Sequence, residues 1–144
     1  MKVKIKRIDK SLPLPVYETN GAAGFDLLAR VETTVKPGEI ALIPANIIVE
    51  TPEDYMLVLA SRSSSPKKKG LTMPHGIGIL DSDYSGNGDE VMIQVYNFAK
   101  QEALVTRGEK IAQGIFVPVS HATWHEIDSM PNKTRGGFGS TDKK

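Results

Sequence analysis

The chain has 144 residues, of which 40% are hydrophobic, and a formal net charge of +1. A chain of this length forms one domain with its own core, and the balanced charge excludes a strongly basic surface for nucleic acid or anionic membranes. The sequence contains no cysteine, which excludes disulfide bonds and cysteine-ligated metal sites.

The first residues alternate apolar and charged side chains, unlike the continuous apolar block of a secretory signal. No apolar run approaches the ~20 residues that cross a bilayer. These features predict a cytoplasmic protein, or one in the host-cell interior if the source is viral, with neither membrane nor nucleic acid as a partner.

Apolar residues mostly recur with period two, which predicts strands. The predicted strands are Val3–Ile8, Gly24–Ala29, Glu39–Ile43, Asn46–Glu50, Met56–Ala60, Gly78–Leu80, Glu90–Phe98, Ala103–Thr106, Ile111–Val119 and Thr123–Ile127. Many short strands between glycine, proline and asparagine turns favour an all-β sandwich or barrel.

One short helix is predicted just before the middle of the chain, with Ser64 as N-cap, Pro66 in the first turn and Gly70 at its end. Residues 1–128 are expected to form the β domain. Residues 129–144 offer few side chains to bury and are therefore expected to form a flexible C-terminal arm.

The segment Gly78–Gly86 concentrates chemically active side chains, because Asp81 and Asp83 are followed at once by Tyr84. If the strand continues through Asp81, both carboxylates project to the same side. A carboxylate beside an aromatic ring could act as a general base over a bound ring-containing substrate. Taken alone, the segment is also typical of a hairpin turn.

Four further segments carry polar motifs. They are Ala22–Leu27, Ser61–Ser64 with the lysines that follow it, Arg107–Gln113 and Gly136–Thr141. The last combines backbone amides, two hydroxyls and an aromatic ring, which suits a lid that closes on a phosphorylated ligand. With the hairpin, and in this order, they resemble the homotrimeric dUTP diphosphatase (dUTPase) family across almost the whole chain.

The resemblance implies a jelly-roll-like β fold and a homotrimer whose three active sites each draw on three subunits. It also implies Mg²⁺-dependent hydrolysis of dUTP to dUMP and pyrophosphate, which keeps uracil out of DNA and supplies dUMP for thymidylate synthesis. Mg²⁺ would be held mainly by substrate phosphates and water, so no protein metal ligands are expected.

For the nucleoside, the resemblance makes Asp81 the base that deprotonates the water attacking the α-phosphorus. Tyr84 would pack on the deoxyribose and leave no room for a 2′-hydroxyl. The main chain around Gly78 and Ile79 would read uracil. His75 either contacts uracil or simply occupies a turn.

For the triphosphate, the resemblance implies contacts from Arg62, Ser63 and Gln113, since an arginine fork suits phosphate oxygens. Ser64 replaces the family's usual glycine. Lys67–Lys69 could add a positive field, although a solvated helix face is the preferred interpretation.

Two acids receive supporting roles: Asp26 through waters around the metal, and Asp83 by stabilising the hairpin. The loop Gly86–Glu90 looks longer than the family's usual connection. Its acids, Asp89 and Glu90, are interpreted as decoration of a longer loop.

The C-terminal segment would complete the site. Arg135 is favoured over Lys133 as the cation for the γ-phosphate, because a planar fork suits phosphate. Phe138 would stack on uracil. The groups that would bind the outer phosphates belong to Gly139, Ser140 and Thr141.

The related dCTP deaminase family is the nearest alternative, since its Arg-Ser-Ser motif matches residues 62–64. Deamination needs a glutamate for proton transfer, however, and alignment on Asn97 puts Gln94 in that place. A third alternative is a non-enzymatic β-sandwich interaction protein or a dUTPase-like regulator. An intact Asp81 and a complete C-terminal motif argue against it.

Overall fold

The computed structural model describes residues 1–137, and within them the chain forms strands and one short helix. The strands are β1 (Lys4–Arg7), β2 (Phe25–Leu28), β3 (Thr33–Val35), β4 (Ile40–Pro44), β5 (Ile47–Glu50), β6 (Tyr55–Ser61), β7 (Leu71–Thr72), β8 (Ile77–Leu80), β9 (Met92–Asn97), β10 (Ala103–Val105) and β11 (Lys110–Pro118); the helix α1 is Ser65–Lys69. The predicted all-β architecture with one short helix is confirmed.

All strand pairs are antiparallel, and they form sheets in the orders β2-β11-β6-β8, β4-β9-β7, β1-β5 and β10-β3. One core joins these sheets, and its fully buried side chains include Leu27, Leu57, Ile93 and Val105. Buried residues alternate along β2, β9 and β10, and the sheets pack as a sandwich around one shared core.

Three differences from the predicted strands have simple causes. Strands β3 and β7 were missed because they span three and two residues and are too short to show a period. The predicted strand Thr123–Ile127 is wrong: the segment pairs with no strand in residues 1–137, and Trp124 is 90% exposed. An alternating pattern cannot form a ladder without a partner edge.

The helix begins and ends as predicted. Pro66 lies in the first turn, and Gly70 adopts a left-handed φ of 65°. A Cβ on Gly70 would also come within 2.5 Å of the Ala99 Cβ, so both backbone and packing require glycine. The described residues contain no helix long and apolar enough to span a membrane.

An ion pair attaches α1 to the turn before β11. Lys69 Nζ lies 2.8 Å from Glu109 Oε2, which also accepts a hydrogen bond from the Thr106 amide at 3.0 Å. Burial raises the pKa of Glu109, but the hydrogen bonds from Lys69 and Thr106 outweigh it, so that this pKa lies below its ordinary value.

Asn46 fixes the turn between β4 and β5 to the N-terminal segment. It is 2% exposed and has a φ of 69°, a left-handed backbone conformation that residues other than glycine rarely adopt. Its Oδ1 accepts from the Asp9 amide at 2.7 Å, and its Nδ2 donates to the Asp9 carbonyl at 3.0 Å. Asparagine therefore supplies both the backbone conformation and the bridge.

Replacing Asn46 separates these two contributions. Asn46→Ala should lower the free energy of unfolding by about 2–4 kcal/mol, because it loses the bridge and strains a left-handed residue. Asn46→Gly loses the bridge alone and should cost about 1 kcal/mol less. Urea unfolding measures both, and equal losses would contradict a contribution from the backbone conformation.

The Lys69–Glu109 pair predicts a pH dependence of stability. Since the folded pKa of Glu109 is lowered, its stabilisation is present above the unfolded value near 4.3 and disappears as pH falls through the folded value. Glu109→Gln should cost up to about 1 kcal/mol at neutral pH, and the cost should shrink as acid protonates the carboxylate. The exposed Glu32, changed to Gln, is the matched control, and a pH-independent loss would contradict the assignment.

Candidate functional site

An ion-pair cluster of Glu18, Asp26, Arg62 and Lys110 forms where β2, β6 and β11 meet. Asp26 Oδ1 lies 3.0 Å from Arg62 Nε, and its Oδ2 lies 2.8 Å from Lys110 Nζ. Lys110 also pairs with Glu18. The Asp26 side chain is only 14% exposed, so the carboxylate holds both cations in fixed positions.

Strand pairing brings these distant residues together. Gln113 of β11 lies opposite Asp26 on one side and Ala60 on the other. Residues opposite each other in antiparallel strands project to the same face. Gln113 Nε2 donates to the Ser61 carbonyl at 3.2 Å, next to Arg62. Asp26, Arg62 and Gln113, predicted as site residues, are therefore neighbours.

Lys110 and Glu18 were missed by the sequence analysis. Lys110 lies in the segment Arg107–Gln113, from which only Gln113 received a role. Lys110 donates hydrogen bonds to Asp26 and Glu18. The bond to Asp26, and to a smaller extent that to Glu18, raises the pKa of Lys110 above the ordinary lysine value. The signal for Lys110 was its position in a recognised motif, whereas nothing in the sequence marked Glu18.

A cavity of about 310 Å³, the cationic cavity, adjoins the cluster, and Ser64 and Thr72 contribute to its wall. The cations that line it are Arg62, Lys68, Lys69 and Lys110. The prediction that Lys67–Lys69 form a solvated helix face is therefore wrong for Lys69, which is paired with Glu109. Ser63 is exposed beside the cavity. Such a cavity suits an anionic ligand.

Strand β8 ends before Asp81, so the hairpin turn begins earlier than the sequence predicted. The strand ends at Leu80, and the Tyr84 amide donates to the Asp81 carbonyl at 3.2 Å. Strand alternation therefore does not align Asp81 with Asp83. Both carboxylates nevertheless line one cavity of about 360 Å³, the hairpin cavity, with Glu53 and His121.

Tyr84 lies beside Asp81 at a smaller cavity of about 230 Å³ that Ile79 also lines. The tyrosine side chain is 40% exposed. Gly78 is buried, and a Cβ there would lie 3.1 Å from the Leu59 side chain. The predicted nucleoside residues thus follow one another along β8 and its turn.

His75 occupies the turn before β8 and is exposed. Its carbonyl accepts a hydrogen bond from the Ile77 amide at 3.0 Å. Ile77 lies opposite Ala60, so His75 is at the Arg62 end of β8, whereas Asp81 is at the other end.

Asp89 and Glu90 are not surface decoration, which corrects the prediction for the longer loop. Asp89 Oδ2 accepts from the Gly86 amide at 2.6 Å and closes the loop. Glu90 forms a bidentate ion pair with Arg30, with Nε 2.8 Å from Oε1 and Nη2 2.9 Å from Oε2. Both contacts join residues whose pairing no local pattern reveals.

Within one chain, the cluster and the hairpin are far apart. Leu80 pairs with Leu57 near the start of β6, whereas Arg62 follows the end of that strand. The stretch from Leu57 to Arg62 spans about 17 Å at ~3.3 Å per residue. Arg62 lines the cationic cavity and Asp81 lines the hairpin cavity and the smaller one beside Tyr84, and none of these three contains both residues.

The predicted residues of the C-terminal segment are only partly described. Lys133 and Arg135 are exposed beyond the last strand. The predicted residues that lie outside the described part of the chain are Phe138, Gly139, Ser140 and Thr141.

Comparisons with known proteins identify the family. The dUTPase family model matches residues 10–142. The deoxyuridine 5′-triphosphate nucleotidohydrolase of Dictyoglomus turgidum is 37% identical, with 98% of each chain covered.

Solved structures agree. A dUTPase from Streptococcus mutans matches with a TM-score of 0.76 and 31% identity, over 83% of this chain and 98% of that one. A dUTPase variant from phage phi11 of S. aureus, described with a structural Mg(II) ion, shares the fold at a TM-score of 0.82 and 20% identity, over 92% and 100%. The predicted jelly-roll fold is therefore confirmed, and the chain belongs to the dUTPase family.

Proposed function

We propose that this protein hydrolyses dUTP to dUMP and pyrophosphate. The observation that carries the proposal is the family match over residues 10–142, which includes every predicted motif. In this role the protein would act in the cytoplasm, or in a host cell if its source is viral. It would keep uracil out of DNA and supply dUMP for thymidylate synthesis.

The phosphate end of the substrate fits the cationic cavity. Arg62 uses Nε for Asp26 and Nη1 for the Lys110 carbonyl, at 3.3 Å. Its remaining N–H groups can bind phosphate oxygens as a charged fork. Ser64 forms no helix-cap hydrogen bond through its side chain. Its hydroxyl can therefore serve the triphosphate together with Ser63 and Gln113.

The reaction itself needs a base near the α-phosphorus, and Asp81 takes this role. Its carboxylate accepts a proton from water as the water oxygen bonds to the α-phosphorus. The bond from that phosphorus to the bridging oxygen breaks, and pyrophosphate leaves. A positioned general base contributes on the order of 10²–10⁴ in rate. Asp83, in the same turn, supports the backbone.

Strand β8 and the turn that follows it recognise the uracil base and the deoxyribose. Strand β8 is the last strand of its sheet, with β6 as its described neighbour. Main-chain groups of Gly78 and Ile79 on the outer edge can therefore pair with uracil. A buried mismatch costs free energy, which disfavours cytosine. His75 contributes to the base end, and Tyr84 packs on deoxyribose.

Mg²⁺ is the proposed cofactor, and the donor set of Asp26 fits a water-mediated contact. Both oxygens of Asp26 already face cations, so the carboxylate can bind metal-held water more readily than the metal itself. Such indirect binding is usual for Mg²⁺. When bound, the ion would neutralise triphosphate charge. A structural Mg(II) ion is described for the phage phi11 dUTPase.

We infer a homotrimer with shared sites because one chain separates its two halves of the site. The hairpin of one copy would meet the cationic cavity of another. The arm 129–144 of a third copy would close the site. Arg135 would bind the γ-phosphate and Phe138 would stack on uracil. The outer phosphates would be bound by Gly139, Ser140 and Thr141.

A substrate panel tests the reaction. With Mg²⁺, the protein should release pyrophosphate from dUTP and little from dCTP, dTTP or UTP. Asp81→Asn should lower turnover by about 10²–10⁴ while dUTP still binds. Glu53→Gln, in the same cavity, is the matched control and should retain activity. Ammonia from dCTP would indicate a deaminase, and no turnover of any nucleotide would favour a binding module.

Mixed oligomers test the shared site. Asp81→Asn and Arg62→Ala chains should each be nearly inactive alone. When unfolded together and refolded, they should regain activity, because some sites receive an intact Asp81 from an Arg62→Ala chain and an intact Arg62 from an Asp81→Asn chain. Size measurement should show trimers. Persistent inactivity of mixed trimers would mean that one chain supplies both residues.

A further inference from the structure

The loop between Tyr84 and β9 has unusual backbone freedom. It contains Gly86 and Gly88, and a Cβ on Gly88 would meet nothing within 4 Å. Asp89 closes its tip, through its carboxylate to the Gly86 amide and its own amide to the Gly86 carbonyl at 3.0 Å. These contacts shape the loop but do not attach it to the sandwich.

Lys6 of β1 donates to the Asn87 carbonyl and Oδ1 at 3.4 Å and 3.2 Å, both exposed contacts, and the less exposed attachment comes from the Glu90 carboxylate. Its Oε1 accepts hydrogen bonds from Arg30 Nε and from the Asn46 amide, both at 2.8 Å, and its Oε2 accepts from Arg30 Nη2 at 2.9 Å. The Glu90 side chain is 13% exposed and that of Arg30 29%. Two parallel charge-assisted hydrogen bonds at this depth fix both position and orientation.

The partners of Glu90 are themselves fixed to the core. The Arg30 amide donates to the Pro44 carbonyl at 2.8 Å. Asn46 is held by its bridge to the N-terminal segment. The next residue, Val91, is fully buried, and its amide donates to the Ile47 carbonyl at 2.9 Å. Glu90 is therefore where the loop becomes rigid.

The orientation of the Tyr84 ring depends on Glu90. Its hydroxyl donates to the main-chain carbonyl of Glu90 at 3.3 Å. Because the tyrosine is 40% exposed, packing alone does not hold its ring. The direction of the Glu90 carbonyl thus bears on the orientation of Tyr84.

We propose that Arg30 and Glu90 are a positioning pair that fixes Tyr84 through the Glu90 carbonyl and thereby sets the rejection of ribonucleotides. The inference rests on the proposed function, in which Tyr84 packs on deoxyribose. Neither residue touches the substrate. A ring that can shift by a small distance would admit a 2′-hydroxyl, so loosening the pair relaxes sugar selectivity more than it slows dUTP hydrolysis.

The test is the ratio of kcat/KM for UTP to that for dUTP. Glu90→Gln places an amide NH₂ against the Arg30 fork and should raise this ratio by about tenfold, within the range of short-range coupling. Arg30→Lys keeps the charge but loses the fork, and should raise it less. Glu50→Gln breaks the exposed Lys4–Glu50 pair at 3.0 Å and should leave the ratio unchanged.

A double-mutant cycle shows whether the effect passes through Tyr84. Tyr84→Phe removes the hydroxyl and should raise the ratio by itself. The double variant with Glu90→Gln should then equal Tyr84→Phe alone. Independent, multiplying effects would overturn the proposed route.

Thermal unfolding of the same variants distinguishes positioning from stability. A Glu90→Gln protein with a lower Tm and a wild-type ratio would make the pair merely structural and overturn the inference. If that variant does not fold, Arg30→Lys decides by the same ratio. A wild-type protein that hydrolyses no dUTP would instead overturn the proposed function, and the pair's role with it.

Discussion

The pairing of β11 with β2 on one edge and β6 on the other is the constraint on which the candidate site depends. It places Gln113 between Asp26 and Ala60, and so brings Arg62 within reach of the Asp26 carboxylate. The carboxylate then orders two cations that would otherwise repel each other. Without this three-strand arrangement, the cationic cavity would have neither its wall nor its charge geometry.

The charges of this molecule are separated locally although they nearly cancel overall. The net charge of +1 correctly excludes a strongly basic protein, yet the cationic cavity gathers positive side chains and the hairpin cavity gathers carboxylates. The separation is partial, because Asp26, Glu18 and Glu109 pair with three of the cations in or beside the cationic cavity. Lys68 adds the positive charge that these ion pairs leave over.

The sequence analysis predicted what depends on local pattern and motif. The period-two strands, the helix from Ser64 to Gly70, and the motif segments were all recognisable along the chain. Contacts between distant residues were not. Arg30 and Glu90 are 60 positions apart, and neither lies in a pattern that specifies its partner.

The prediction of a strand that does not form also has a physical cause. Thr123–Ile127 alternates like a strand, but a ladder needs a second edge, and the described chain offers none to this segment. Likewise, Asp81 and Asp83 share a face only if the strand continues, but β8 ends at Leu80 and a turn hydrogen bond at Tyr84 follows. Periodicity describes which conformation suits a segment, whereas pairing decides whether it forms.

The register of β2 with β11 affects the folding kinetics. Phe25 pairs with Gly114, so the ladder that carries Asp26 closes a loop of most of the chain. Closing so long a loop costs entropy before any contact repays it, and topologies dominated by such pairings fold slowly. During synthesis, the ion-pair cluster therefore cannot assemble until β11 has left the ribosome, and the cationic cavity beside it is a late product of folding.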